Sequence, residues 1–421
     1  MRNPYRLAWP GGERSVQCKA FSALALFAMN RLRFVTAGES HGEGLIAWLS
    51  GLPAGLPVDF AFVNRELHRR QLGYGRGGRQ KIEKDAADAL AGVRHGRTIG
   101  APIALRLVNR EWETRWKQAL PVEDFPDSEQ FQRPLTAPRP GHADLAGSLK
   151  FNFHDARYVL ERASARETAA RTAVGAFAKL LLREFGIEVL SHVIAVGHAG
   201  LVRSVTWEEI QTVCADLESP LRCVDPEIEA KMKAEVDAAL RAGNSVGGIF
   251  EVVAHNVPPG LGSHAQWDEK LDGRLARAVM SIQAVKAVEI GTGVASATSY
   301  GSEVQDPIAY SAQQHRFTRP SNHAGGLEGG ITNGEDVVVR GYLKPISTLR
   351  RALGTADLKD KSAVEAAYER SDVCVVPAGG VVGEAMVALA LADAFLEKFG
   401  GDSIEETRRN FHGYRRQLEE F

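Results

Sequence analysis

The side chains best suited to chemistry in this sequence are arginines and histidines, concentrated in glycine- and proline-rich stretches rather than on solvated helix faces. Arg69 and Arg70 precede the run Gly-Tyr-Gly-Arg-Gly-Gly-Arg, which contains Arg76 and Arg79. Arg133, Arg139 and His142 follow, the last two within Arg-Pro-Gly-His-Ala-Asp, and Arg157, Arg162 and Arg166 lead into a helix. A guanidinium group is a planar, permanently charged fork that binds carboxylate or phosphate oxygens in pairs. Each such charge-assisted bond contributes about 1.5–3 kcal/mol, so several converging arginines would hold a small polyanion firmly. His41 and His142 each stand beside a glycine. In such turns an imidazole can reach a cavity and exchange protons near neutral pH.

Attraction for anions must be local. Lysine plus arginine number 51 and aspartate plus glutamate 52, a net charge of -1, which excludes a surface built as a whole to attract nucleic acid or an acidic membrane. The four cysteines, at 18, 214, 223 and 374, form no C-x-x-C pair and no cluster with histidine. Neither a disulfide framework nor a zinc site is indicated, no metal is expected, and a reducing, cytoplasmic setting follows.

The elements that must position these residues alternate along the chain. Short apolar runs at 32–36, 45–49, 247–253 and 337–343 read as strands. A helix is expected over 165–185, because Ser164 and Glu167 form an S-x-x-E capping box and Gly186 supplies the stop. Its start, flanked by Arg162 and Arg166, offers unpaired N–H groups as a seat for an anion. Asp225 and Pro226 open a further helix that ends at Gly243, and helices are also expected over 64–71, 364–370 and 384–399. No linker divides the chain, so the fold class is α+β in a single large domain: an extension at 1–28, a catalytic domain at 29–400 and a charged tail at 401–421. The ten-residue apolar run at 20–29 is too short to span a bilayer and lacks a small-residue cleavage site after it. Residues 1–28 therefore read as dispensable, with Met29 as the natural start. The apolar stretch 373–399, cut by Pro377, Glu384 and Asp393, reads as a buried core element.

Three short motifs mislead. Gly38-Glu39-Ser40-His41-Gly42 matches G-x-S-x-G, but a nucleophile elbow needs a helix after it. Gly51, Pro53, Gly55 and Pro57 would break one. Gly73, Gly75 and Gly78 match G-x-G-x-x-G, yet a helix-like segment precedes them where a dinucleotide fold needs a strand. A single Gly-Arg-Gly-Gly-Arg copy inside a globular chain reads as an anion-gripping loop rather than an RNA module.

Read together, these segments resemble the chorismate synthase family from about Arg33 to Leu396. The resemblance rests on Gly-Glu-Ser-His-Gly at 38–42, Arg-Pro-Gly-His-Ala-Asp at 139–144, Ser-Ala-Arg-Glu-Thr at 164–168 and Ser-Ile-Gln-Ala-Val-Lys-Ala-Val-Glu-Ile-Gly at 281–291. Ser-Asn-His-Ala-Gly-Gly at 321–326, Lys-Pro-Ile-Ser-Thr at 344–348 and Arg-Ser-Asp-Val-Cys at 370–374 complete the order. It implies a β-α-β sandwich, assembled as a homotetramer, that binds reduced FMN and converts 5-enolpyruvylshikimate 3-phosphate into chorismate by 1,4-elimination of phosphate. NADPH is a candidate reductant. By the same resemblance His41 would protonate the departing phosphate, His142 would act at the reduced flavin near N1, and Asp372 would help move the proton at N5. Arg70, Arg76 and Arg139 would grip the substrate, the first two matching positions also associated with nicotinamide nucleotide. Arg162, Ala163, Ser164, Gln283, Ala284, Gly329, Lys344, Pro345, Ile346, Ser347, Thr348 and Arg370 match flavin-contacting positions. Glu161 and Ile346 stand where some members have Gly and Thr.

Overall fold

Burial that alternates from residue to residue along largely apolar strands marks the first sheet. In the computed structural model, which describes residues 31–78, 82–313, 315–369 and 371–421, strands β1 (Arg33–Ala37), β2 (Gly44–Ser50), β3 (Asp88–Ala91) and β4 (Ile103–Val108) pair antiparallel in the order β1-β2-β4-β3. The register sets Leu45 opposite Leu107, Ala47 opposite Leu105 and Leu49 opposite Ile103. All six are buried, because a period of two sends them to one face.

A second antiparallel sheet contains β5 (Glu188–Val196), β6 (Ala199–Gly200), β7 (Gly248–His255), β8 (Val285–Ile290) and β9 (Val337–Leu343), in the order β8-β9-β7-β5-β6. Its inner face pairs Phe250 with Gly341, Val252 with Val339 and Ala254 with Val337.

Helices pack between and around the sheets. The main ones include α1 (Phe60–Gln71), α2 (Asp144–Phe151), α3 (Arg157–Ala163), α4 (Thr168–Arg183), α5 (Pro226–Arg241), α6 (Leu271–Met280), α7 (Val376–Phe399) and α8 (Ile404–Glu419). Helix α4 packs on the first sheet and on α7, while α7 packs on the second sheet, giving the expected β-α-β layers within one unit of residues 31–421. The two central helices touch closely: a Cβ on Gly175 of α4 would lie 2.3 Å from that of Ala385 on α7. Helix α7 is long and apolar enough to cross a membrane by composition, yet it is buried as the core of the sandwich.

Local sequence explains most boundaries and corrects others. Pro226 opens α5 behind the Asp225 cap, as expected. The start at 165–167 is a 3₁₀ turn rather than the α-helix. Ser164 caps it by accepting from the Arg166 N–H at 3.3 Å. Glu167, expected to complete the capping box, instead accepts from Thr36 at 2.6 Å, Arg171 at 3.0 Å and Gln283 at 3.1 Å. The helix expected over 364–370 is not formed. Ala363–Glu365 is a strand paired with Gly354–Ala356, so hairpin pairing overrides the local alanine and glutamate propensity. Helix α7 begins at Val376, eight residues before its expected start at Glu384. The region expected as a charged tail carries α8, whose Ile404, Thr407 and Phe411 are buried. The extension at 1–28, Arg79 and Arg370 lie outside the described residues.

Candidate active site

The histidine and arginine loops converge on one cavity of about 560 Å³, within the range usual for small-ligand sites. Its lining includes His41, His142, Asp372, Arg70, Arg76 and Arg139, together with Ala163, Ser164, Gln283, Ala284, Lys344, Ile346, Ser347 and Thr348. Three expected residues stand outside it. Arg162 turns its guanidinium to Thr36 O at 2.7 Å and Gly38 O at 3.1 Å, tying down the chain after β1. Gly329 lies in a two-strand turn between Leu327–Glu328 and Ile331–Thr332. Pro345 packs by Gly247, while its neighbours on both sides face the cavity.

His41 sits in the bend between β1 and β2. Its Nδ1 lies 2.9 Å from Glu161 Oε1, and its backbone N–H donates to Glu161 Oε2 at 2.8 Å. Trp116 stacks on the imidazole with ring centroids 4.0 Å apart. That tryptophan ends a short π-helical turn at Trp112–Trp116 and carries the guanidinium of Arg133 4.8 Å from its ring centre. Ser40 is buried and accepts from the Ser164 hydroxyl at 3.1 Å, and strand β2 follows directly. The strand-to-helix elbow that a hydrolase serine requires is therefore missing here.

The Arg-Pro-Gly-His-Ala-Asp turn folds back on its own last residue. Asp144, fully buried, accepts from Arg139 N at 3.1 Å, Arg139 Nε at 2.8 Å and Arg139 Nη2 at 3.1 Å, and it meets His142 Nδ1 at 2.5 Å. Burial opposes the charged form of Asp144. The hydrogen bonds from His142 and Arg139, reinforced by their charges, nevertheless hold its carboxyl far below the usual range. Arg139 Nη1 also donates to Thr348 at 2.9 Å, joining this turn to the 344–348 loop. Lys344 reaches the same turn through a hydrogen bond from Nζ to Gly141 O.

Arg70, in the last turn of α1, places Nε on Thr168 at 2.8 Å and Nη2 on Ala165 O at 3.0 Å. Arg166 donates to Asp85 at 2.6 Å and Asn109 at 2.9 Å. Burial lowers the Arg70 guanidinium to about 10, with Arg166 and Arg76 adding repulsion against the pull of Asp85. It remains charged at neutral pH, in a spot where an added anion would be welcome. Arg76 lies 3.4 Å from Asp372 Oδ2, and Asp372 Oδ1 accepts from the Gly77 N–H. Buried Arg76 Nε and Arg166 Nη2 have no hydrogen-bond partner among the described residues.

The lining also includes the apolar side chains of Ile282, Leu343, Val375, Ala378 and Val382. Gln283 Oε1 is buried there without a partner among the described residues. Ala284 holds the left-handed φ of 69°, which is uncommon for a residue with a side chain and recurs at functional sites. Among the described residues no group of three His, Cys, Asp or Glu side chains is arranged to hold a metal. Asp144 and Glu161 as histidine partners, Asp85 and Trp116 were all missed in the sequence. The only available signal was that Asp144 closes the histidine motif.

Comparison with known proteins matches residues 32–396 to the chorismate synthase family. The chain is 62% identical to a chorismate synthase of Solibacter usitatus over 390 residues, which cover 93% of this chain and all of that one. It is 50% identical to a chorismate synthase of Aquifex aeolicus over 401 residues, covering 94% of this chain and 100% of the relative. A crystal structure of a chorismate synthase aligns with a TM-score of 0.75 at 43% identity, covering 93% of this chain and 99% of the other. With agreement over this length in both sequence and fold, the chain belongs to the chorismate synthase family of lyases.

Proposed function

We propose that the cavity binds 5-enolpyruvylshikimate 3-phosphate and removes phosphate from it by anti-1,4-elimination, giving chorismate, with reduced FMN bound alongside. The carrying observation is the group of cations lining the cavity in a protein of net charge -1, with the buried donors Arg76 Nε and Arg166 Nη2 lacking partners among the described residues. A substrate with two carboxylates and one phosphate has the acceptors to satisfy them.

The lining also suits a flavin. The apolar strip offers a bed for a planar ring, and buried Gln283 Oε1 is an acceptor suited to a ring N–H. Lys344, Ser347 and Ser164 provide polar groups for a ribityl phosphate chain. When bound, reduced FMN supplies an electron-rich ring system that assists C–O cleavage and leaves the cycle still reduced.

The protein's own groups then have distinct tasks. Arg70, Arg76 and Arg139 orient the anions and offset their mutual repulsion. Protonated His41 donates to the departing phosphate, which leaves poorly while fully charged. His142, backed by Asp144, holds a proton on the flavin side of the cavity. Asp372, oriented by the Gly77 N–H, is the carboxylate that would help move the proton at the flavin's N5. NADPH is a candidate reductant, and the homotetramer and cytoplasmic setting belong to the same reading.

Phosphate release from the shikimate-derived substrate, measured with and without dithionite-reduced FMN, tests this directly. Release should require the reduced flavin. Undiminished release without it would overturn the proposal.

A further inference from the structure

Each histidine of the cavity is backed by one buried carboxylate, through the same ring nitrogen. His41 Nδ1 lies 2.9 Å and 3.1 Å from the two oxygens of Glu161, and His142 Nδ1 lies 2.5 Å from Asp144 Oδ1. Ionised carboxylate oxygens only accept hydrogen bonds. A hydrogen must therefore sit on Nδ1 in both rings, whether the ring is neutral or charged. The proton that either ring can gain or lose is then the one on Nε2.

Neither carboxylate is available to a ligand. Glu161 has 2% of its side chain exposed and Asp144 none, and neither belongs to the cavity lining. Glu161 is further fixed by the backbone N–H of His41 at 2.8 Å and by Arg157 Nη1 at 3.7 Å. Asp144 is fixed by three donors of Arg139. Arg139 Nη2 also lies 3.0 Å from His142 Nδ1. A guanidinium only donates, so Nη2 and the Asp144 oxygen compete for Nδ1; the much shorter contact, 2.5 Å to a carboxylate oxygen, requires a hydrogen on Nδ1 and sets its role.

We infer that Glu161 and Asp144 are positioning residues of the elimination: each fixes the tautomer of one histidine, so that both rings work through Nε2. The inference rests on the proposed reading of His41 and His142 as the proton-handling groups. When His41 acts, its Nε2–H bond breaks, an O–H bond forms on the leaving phosphate, and the electron pair stays on Nε2. The neutral ring keeps its Nδ1 hydrogen on Glu161. Each ring can thus be reloaded at Nε2 without turning over in its pocket.

The test uses the full chain with ¹⁵N-labelled histidine, where long-range ¹⁵N–¹H correlations report which ring nitrogen is protonated. His41→Gln and His142→Gln assign the signals. In the unaltered protein the neutral form of both rings should carry hydrogen on Nδ1. Glu161→Gln can turn its amide NH₂ toward the ring, and should move His41 toward the Nε2–H tautomer while leaving His142 alone; Asp144→Asn should do the reverse. Each should lower kcat by about 10²–10⁴, the range for losing a correctly placed proton donor. Glu161→Asp keeps an acid and should keep the Nδ1 hydrogen on His41. It serves as the folding control, and the Glu161 pair decides the matter if Asp144→Asn does not fold. Nε2–H tautomers in the unaltered protein, or amide variants that leave both tautomers unchanged, would overturn the positioning role. Switched tautomers with undiminished turnover would instead remove the proton-handling role of that histidine, and the inference with it.

Discussion

Asp144 shows how one buried side chain can fix several that line the cavity. It receives Arg139 through three donors and His142 through one, and that set of donors outweighs the cost of its burial. Its folded pKa therefore lies below its unfolded value, near 3.9 in an exposed chain. Such a group contributes stability that is full above the unfolded value and disappears as the pH falls through the folded one. Asp144→Asn should accordingly lower the urea stability at pH 7 by about 1–3 kcal/mol, since Arg139 borders a cavity that water can enter. The gap between variant and unaltered protein should hold steady down to about pH 5 and narrow below about pH 4. A gap that stays constant to pH 3 would show that the charge of Asp144 is not what stabilises the turn. At this scale the sequence revealed arginine and histidine, whose chemistry is plain in glycine-rich loops. It concealed Glu161 and Asp144. An acid in the last turn of a helix or at the first residue of another has an adequate explanation without any partner.

Among elements, α7 does most to hold the layers together, and its Glu384 shows how. That carboxylate accepts from Arg69 of α1 at 2.8 Å, Lys179 of α4 at 2.6 Å and Ser191 of β5 at 2.6 Å, all buried. Charge attraction to Arg69 and Lys179 keeps it ionised against strong desolvation, well below the usual carboxylate range. Glu384→Ala would leave Arg69 and Lys179 in the core sharing Glu66 as their one remaining ion-pair partner among the described residues. The expected loss in urea denaturation is about 3–5 kcal/mol, the cost of removing one partner from a buried ion network. A loss under about 1 kcal/mol would mean that Glu66 alone suffices to neutralise the pair. The second half of α7 was legible from its apolar residues and late acids. Its first half was not, because Pro377 interrupts the apolar stretch and Gly379, Gly380 and Gly383 carry little helix propensity of their own. Their reason lies in another element: a Cβ at Gly383 would come within 2.6 Å of the Phe250 ring on β7. The same limit explains the misread 364–370, where pairing with a strand nine residues earlier decided the conformation.

Across the whole molecule, the cavity gathers groups that the chain keeps far apart. His41 meets Glu161 across 120 residues and Arg139 meets Thr348 across 209. Spacing along the chain cannot reveal such neighbours, so the grouping was legible only through the ordered family motifs, while each group's chemistry was legible alone. Bringing the cations inside has a measurable consequence. With a net charge of -1 the molecule exerts little long-range pull on an anion. Recognition must then come from contacts of a few ångströms, inside a concave site where salt screens poorly compared with an exposed surface, whose Debye length is about 10 Å at 0.1 M. The kcat/KM for phosphate release should therefore fall less than about tenfold between roughly 50 and 200 mM potassium chloride, whereas a surface making 6–10 phosphate contacts loses about 10³–10⁵ in affinity over that range. Steady-state phosphate release at stepped salt concentrations, with reduced FMN saturating, would measure this. A fall beyond about a hundredfold would place the recognition of the substrate on exposed cations such as Arg133 and Arg162 rather than on the buried guanidinium groups of Arg70, Arg139 and Arg166.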